Sequence, residues 1–232
     1  MKKLFSRIII LIFLSIIIVL GILSTTGIKT KKFNKFISDK TYQSKNINLE
    51  LNEIKFKLDP KDLSLFLATK NPIITYKEIS IPVDDIKIYF DFISLFDSNP
   101  VIKKTNVNLK ELDIVQLNKL SNLIKPSNLK SLLNNNIKKD KLKSEIEIFL
   151  NEEGILENFI AKGNVYDLNG IFLQDLILSK TSFNFFADKS DILIKNLLGN
   201  IQDIRISDGD LKLNLENGIK INSNFISKIN LN

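Results

Sequence analysis

Two hydrophobic patterns divide the chain. Residues 8 to 28 carry no charge, and residues 8 to 23 are almost entirely Ile, Leu, Val and Phe. From residue 46 onward, apolar and polar residues alternate, as in Ile146-Glu147-Ile148 and Leu211-Lys212-Leu213. A period of two is typical of strands with one buried face. The chain is therefore predicted to be mainly β, with one apolar helix at its N-terminus.

The apolar segment is long enough to cross a membrane. As a helix, residues 8 to 28 would span roughly 30 Å, which is the thickness of the hydrocarbon core. A signal peptide is the alternative, but its apolar core is usually about 7–15 residues long and ends in an A-x-A-like site. Ser24 to Gly27 imitate such a site without that motif. We predict a transmembrane anchor over residues 1–28.

The excess positive charge belongs to the N-terminus. The net charge of +7 equals the number of basic residues up to Lys35, and the first acidic residue is Asp39. The rest of the chain is balanced, which argues against a nucleic-acid partner. Basic residues beside a membrane span contact anionic head groups. The predicted membrane-surface residues are Lys2, Lys3, Arg7, Lys29, Lys31 and Lys32.

The body is predicted to have one main domain. Residues 29–45 are basic and polar and predict a juxtamembrane linker, and residues 46–232 form the β-rich domain. Within it, the helical spacing of Ile114, Leu117 and Leu120 predicts a helical insert at about 112–139. Pro126 suits the first turn of a second helix, which makes this insert a short helical pair. The alternation changes phase at Asn52-Glu53, which predicts a bulge.

Turn residues separate the predicted strands, and Pro82 is expected at a strand end or a sheet edge. The predicted turns are Asp59 to Asp62, Asn151 to Gly154, Asp188 to Asp191, Gly199-Asn200, Asp208-Gly209 and Asn217-Gly218. The last two are dipeptides typical of hairpins.

The strands of the meander share an apolar face that must be covered. A sandwich or closed barrel covers it with protein, whereas a sheet curled into a trough covers it with lipid acyl chains. Outer-membrane barrels need strands of about 9–11 residues with aromatic girdles, and this sequence predicts neither property. We predict an antiparallel meander curled into a groove or half-barrel. The candidate groove residues are Ile146, Ile148, Leu150, Ile192, Ile194, Ile204, Ile206, Leu211, Leu213, Leu215, Ile219 and Ile221.

The chain is poorly provided with catalytic groups. It has no His and no Cys, which excludes His-based acid–base catalysis, thiol nucleophiles, disulfides and cysteine zinc sites. Phosphate-loop, dinucleotide-binding and metalloprotease motifs are also missing. Asp208-Gly209-Asp210 is too short for a calcium loop. We therefore expect no catalytic residue, no metal and no cofactor.

In the order of its features, the sequence resembles the AsmA-like family of bacterial envelope proteins. After the anchor come Ile47 to Leu51, an apolar strand over residues 86–96 and a further strand over residues 101–112. Phe185 to Asp188 and Gly209 to Leu211 belong to the meander that follows. The resemblance covers nearly the whole chain and is architectural, without a diagnostic short motif.

The resemblance implies a protein anchored by a single span in the bacterial inner membrane, with its body in the periplasm. Its β-groove would conduct phospholipid acyl chains toward the outer membrane, and the helical insert would cap the groove at the inner-membrane end. Family members that bridge the envelope are longer, so this chain is expected to be an N-terminal portion or to pair with other envelope proteins. The alternative is a non-catalytic scaffold for outer-membrane biogenesis, with a protein-filled β core.

Overall fold

One open antiparallel sheet makes up most of the fold. The computed structural model describes residues 2–45, 47–61, 64–91, 94, 101–121, 137–151, 153, 155–172, 176–216 and 220–228. These residues form a 14-stranded sheet that is not closed into a barrel, preceded by one long apolar helix. The predicted fold class, a mainly β antiparallel meander behind an N-terminal helix, is confirmed.

The described residues form three helices and fourteen strands. The helices are α1 (Lys2–Thr25), α2 (Asn34–Lys45) and α3 (Ile114–Ser121). The strands are β1 (Ile28–Thr30), β2 (Ile47–Glu50), β3 (Ile54–Asp59), β4 (Ser64–Lys70), β5 (Ile73–Tyr76), β6 (Ile79–Phe90), β7 (Ile102–Leu109), β8 (Leu112–Asp113), β9 (Ile137–Leu150), β10 (Leu156–Phe172), β11 (Leu176–Ala187), β12 (Asp191–Ile201), β13 (Ile204–Asn214) and β14 (Lys220–Lys228).

Helix α1 is apolar on all sides, and its residues 4 to 25 are long and apolar enough to cross a membrane. Near its end, the hydroxyls of Ser24 and Thr25 donate hydrogen bonds to the carbonyls of Leu20 and Gly21, at 2.8 and 2.7 Å. Gly27 ends the helix in a left-handed conformation, with φ of 72°, and its N–H donates to the Ile22 carbonyl. The chain then enters β1 directly.

Neighbouring strands lie in the order β1-β3-β4-β6-β7-β9-β10-β11-β12-β13-β14. Strand β6 also pairs with β5, which in turn pairs with β2, so these strands branch from the main sheet. Pro82 lies inside β6, where it pairs with Ile73 of β5, and on its other side the Pro82 carbonyl accepts a hydrogen bond from the Lys110 N–H at 3.1 Å. The ladder between β6 and β7 begins one residue later, at Val83, so Pro82 lies at the margin of that ladder rather than at a strand end or a free edge.

The hydrophobic core lies at the β1 end of the sheet. Ile54, Ile86 and Leu112 form its centre, together with Ile37 of α2 and Leu49 of β2. The linker predicted for residues 29–45 is therefore wrong, because β1 and α2 occupy this segment. Helix α2 belongs to the domain because its apolar side chains pack into this core, which leaves Ile37 only 2% exposed.

The predicted bulge and the predicted helical pair have different outcomes. The bulge predicted at Asn52-Glu53 is wrong, because β2 ends at Glu50 and pairs with β5, whereas β3 pairs with β1 and β4. The first helix of the predicted pair is confirmed as α3. The rest of the second predicted helix lies outside the described residues. At the two ends of the predicted insert, residues 112–113 form β8 and residues 137–139 begin β9, so these residues are strand rather than insert.

The turns are partly as predicted. The chain turns at residues 60–61, around residue 153 and at residues 189–190, as predicted. The turns predicted at Gly199-Asn200 and Asp208-Gly209 are wrong, because these residues lie inside β12 and β13. The chain turns at Gln202 and Asp203 instead. Asn217-Gly218 falls between β13 and β14, outside the described residues.

Candidate functional site

The most extended feature of the molecule is a row of small and apolar residues that crosses the whole sheet. Each strand from β3 to β14 along the sheet path contributes one residue, and neighbours in the row are in register. The row consists of Ile54, Thr69, Ile86, Val107, Ile146, Ala161, Ala187, Ile192, Leu213 and Ile221. We call the side of the sheet that carries this row the apolar face.

Exposure along the row changes from one end to the other. Ile54 and Ile86 are 1% and 3% exposed in the core beneath α2, whereas Ile221 at the far edge is 54% exposed. Ile146, Ile192 and Leu213 between them are partly buried. The described helices pack against β2, β3, β6, β8 and β9. One continuous apolar face is thus covered near the anchor and becomes accessible toward β14.

The register brings most of the predicted groove residues together on this face. Leu211 and Ile206 lie on this face because they pair with Ser223 and Ser227, which lie on the same side of β14 as Ile221. Ile148, Ile192, Ile194, Ile204 and Leu213 share the face through the same ladders, and Leu150 shares it by alternation. Leu215 follows the end of β13, and Ile219 lies outside the described residues.

A line of β-bulges crosses β10 to β13, within the part of the sheet from β10 to β14 that we call the outer half. Asp167 in β10, Lys180 in β11 and Asn196 in β12 have positive φ angles of 53°, 49° and 54° beside register shifts. A fourth shift lies at Ser207 in β13. Bulges bend a strand and increase its twist, so bulges aligned on adjacent strands bend the sheet along one line.

The residues beside this line are the most buried of the outer half. Leu168 and Leu197 are 5% and 8% exposed, and Thr181 is completely buried. Ile206 and Val165 are also buried. The burial of Leu168, Thr181 and Leu197 is not apparent from the sequence, because an inserted residue in each strand interrupts the alternation of apolar and polar positions.

Polar side chains hold the backbone at the bulges. The Asn169 amide donates to the Asp167 carbonyl at 2.6 Å, and the Asn169 side-chain oxygen accepts from the Lys180 N–H at 3.0 Å. In β13, the Ser207 hydroxyl donates to the Ile226 carbonyl at 3.2 Å. These hydrogen bonds replace ladder bonds that the bulges interrupt. The bend is therefore a built part of the sheet.

The opposite face of the sheet is mostly polar, apart from exposed apolar side chains such as Ile226, and it carries a cavity of about 540 Å³. We call it the polar cavity. Asn108 donates to both carboxylate oxygens of Asp85 at 3.0 Å. The Lys162 ammonium lies 3.2 Å from Glu145 and 3.5 Å from Glu147. The hydrogen bond to Glu145 raises the pKa of Lys162 above its usual value. The other lining residues are Asp84, Leu109, Lys143, Ser144, Gly163, Asn164, Asn184 and Phe186.

The predicted membrane-surface cations do not all remain free. Lys29 in β1 forms an ion pair with Glu53 at 2.8 Å, and this hydrogen bond lowers the pKa of Glu53. Arg7, Lys31 and Lys32 are exposed, and Lys2 and Lys3 lie in the first turn of α1. Lys29, Lys31 and Lys32 therefore lie close to the end of the apolar helix.

Within the described part of the chain, no group of three or more His, Cys, Asp or Glu side chains is placed to hold a metal ion. The geometry thus defines a class of protein: an open antiparallel sheet with one apolar face, behind a helix that can cross a membrane. No family model matches the sequence, and comparisons with curated proteins and with solved structures give no match either.

Proposed function

We propose that the protein is anchored in the bacterial inner membrane by α1 and holds phospholipid acyl chains on its apolar face. The body would lie in the periplasm and contribute to lipid transport toward the outer membrane. The observation that carries this proposal is the graded apolar row, which is buried near the anchor and half exposed at β14. An exposed apolar surface of this length is costly in water and favours an apolar ligand.

The position of α1 distinguishes the two ends of the apolar face. Helix α1 leads into β1, which is the edge strand of the main sheet nearest the core, and β14 ends the path on the other side. At about 4.8 Å between neighbouring strands, the row from β3 to β14 is roughly 45 Å long. With α1 in the membrane, as we propose, the row would lead away from it, and acyl chains would lie across successive strands along it.

The mechanism we propose is passive. Acyl chains exchange water for contact with Ile192, Ile194, Leu211 and Leu213, and the phospholipid head group stays in water. The bend beside Leu168 and Leu197 gives the outer half a curved surface on which chains can lie. No reaction step is needed, and the resemblance to the AsmA-like family leads to the same proposal.

Lipid analysis of the full chain tests this function. We expect wild-type protein, purified in a mild detergent, to carry phospholipid detectable by mass spectrometry. Leu213→Asp should reduce the bound lipid several-fold, because it places a carboxylate in the apolar row near its exposed end. The control is Leu193→Asp, which introduces the same charge on the opposite face of the neighbouring strand.

Lipid annular to α1 should be unaffected by either substitution, so it contributes equally to both variants. Equal lipid content in Leu213→Asp and Leu193→Asp would contradict acyl-chain binding on the apolar face. It would favour the alternative, a non-catalytic envelope scaffold, for which the protein-filled core around Ile54 and Ile86 is the supporting observation.

A further inference from the structure

The polar cavity lies on the side of the sheet that the proposed lipid function does not use. It is formed where β6, β7, β9, β10 and β11 are neighbours, through Asp85, Asn108, Glu145, Lys162 and Phe186 in one register row. Its volume falls in the range of roughly 300–1,000 Å³ that is usual for small-molecule sites.

Several polar groups in the cavity are available to a ligand. Among the described residues, the side-chain amides of Asn164 and Asn184 and the ammonium of Lys143 have no hydrogen-bond or ion-pair partner. An asparagine amide can donate two hydrogen bonds and accept two, and an ammonium can donate three. The cavity therefore offers both donors and acceptors that the protein itself does not use.

The charges of the cavity nearly balance. Three carboxylates, those of Asp84, Asp85 and Glu145, line it against the two ammonium groups of Lys143 and Lys162, so one negative charge is in excess. Lys162 is paired with Glu145, and the Asp85 carboxylate accepts two hydrogen bonds from Asn108. The excess charge disfavours an anion, and the internal pairing of the other charges favours a neutral polar ligand.

An aromatic ring completes the site. Phe186 borders the cavity and is 46% exposed, although it lies on the polar face of the sheet. A sugar ring presents hydroxyls around its edge, which donate and accept, and an apolar C–H surface that packs against an aromatic ring. From these four features, we propose that the polar cavity binds a neutral oligosaccharide.

Calorimetric titration tests this proposal on the full chain in phosphatidylcholine nanodiscs, which contain no sugar. The probes are chitotetraose, cellotetraose and maltotetraose, each at millimolar concentration. We expect at least one of them to bind. Asn184→Ala should weaken that binding by about fivefold to tenfold, the usual consequence of losing one or two neutral hydrogen bonds. Phe186→Ala should weaken it through lost packing.

Asn222→Ala is the matched control, because Asn222 lies on the same face in β14, away from the cavity. It should bind the sugar as the wild type does. Asn184→Asp keeps the size of the side chain and serves if Asn184→Ala fails to fold. The proposal is overturned if no probe binds, if inorganic phosphate binds in place of the sugars, or if both Asn184 variants bind as tightly as Asn222→Ala.

Discussion

Replacing Ile54 by alanine is expected to lower the free energy of unfolding by about 2–5 kcal/mol, the usual cost of an Ile→Ala substitution in a packed core. Ile54 is 1% exposed and lies in the core with Leu67 and Ile86. The substitution removes a buried side chain and therefore leaves a cavity. This cavity would lie at the start of the apolar row, where α2 and β2 cover the sheet. Urea unfolding of the full chain, followed by circular dichroism in a mild detergent, measures the loss.

The control for this substitution is Ile73→Ala. Ile73 is a β-strand isoleucine as well, but it is 51% exposed in β5. Its replacement should change the free energy of unfolding by about 0.5 kcal/mol or less. If the two variants were equally stable, the core would not lie where the structure places it.

Gly163→Ala is expected to destabilise the protein by about 1–3 kcal/mol or more, as overpacking of a well-packed site does. Gly163 lies in β10 between Ser144 of β9 and Phe185 of β11. A Cβ atom at this position would lie 2.1 Å from the Lys143 carbonyl oxygen and 2.9 Å from the Phe185 ring. The backbone of β9 cannot give way without breaking its ladder with β10.

Thermal unfolding of Gly163→Ala beside Gly21→Ala separates this effect from a general effect of glycine replacement. Nothing lies within 4 Å of a Cβ atom at Gly21 in α1. Alanine is a better helix former than glycine, so Gly21→Ala should leave the melting temperature unchanged or raise it. A Gly163→Ala protein as stable as the wild type would show that β9, β10 and β11 are not packed as closely as described.

The apolar face was predictable because its signal is local. The alternation in Ile146-Glu147-Ile148 and Leu211-Lys212-Leu213 survives in the structure, and it assigns each residue to a face without knowledge of its neighbours. The order of the strands then follows the chain from β9 to β14. A meander needs no long-range information beyond this.

The misassigned glycines show where local reasoning fails. Asp208-Gly209 is typical of a hairpin turn, but Gly209 lies inside β13. The residue is glycine because the Phe225 ring of β14 occupies the space that a side chain would need. Gly199 similarly makes room for Thr181. In both cases the reason for glycine is a residue on another strand. The sequence therefore marks the position but does not identify its cause.

The polar cavity could not be predicted for the same reason. Its register row joins Asp85, Asn108, Glu145 and Phe186, which are widely separated along the chain. Each residue alone is an ordinary strand residue with no motif around it. The linker prediction failed in a related way, because the partners of Ile37 in the core lie on β2 and on the sheet beyond it.

The most direct test of the central claim is photo-crosslinking at two adjacent positions of β12 in the full chain in its membrane. Ile194 pairs with Leu211 on the apolar face, and Leu193 pairs with Lys212 on the opposite face. Both side chains are partly buried. A benzophenone amino acid is placed at each position in turn, and the products of irradiation are analysed by mass spectrometry. Binding of acyl chains on the apolar face predicts phospholipid adducts at position 194 and far fewer at position 193. Equal adducts at the two positions, or adducts with protein alone at position 194, would contradict it.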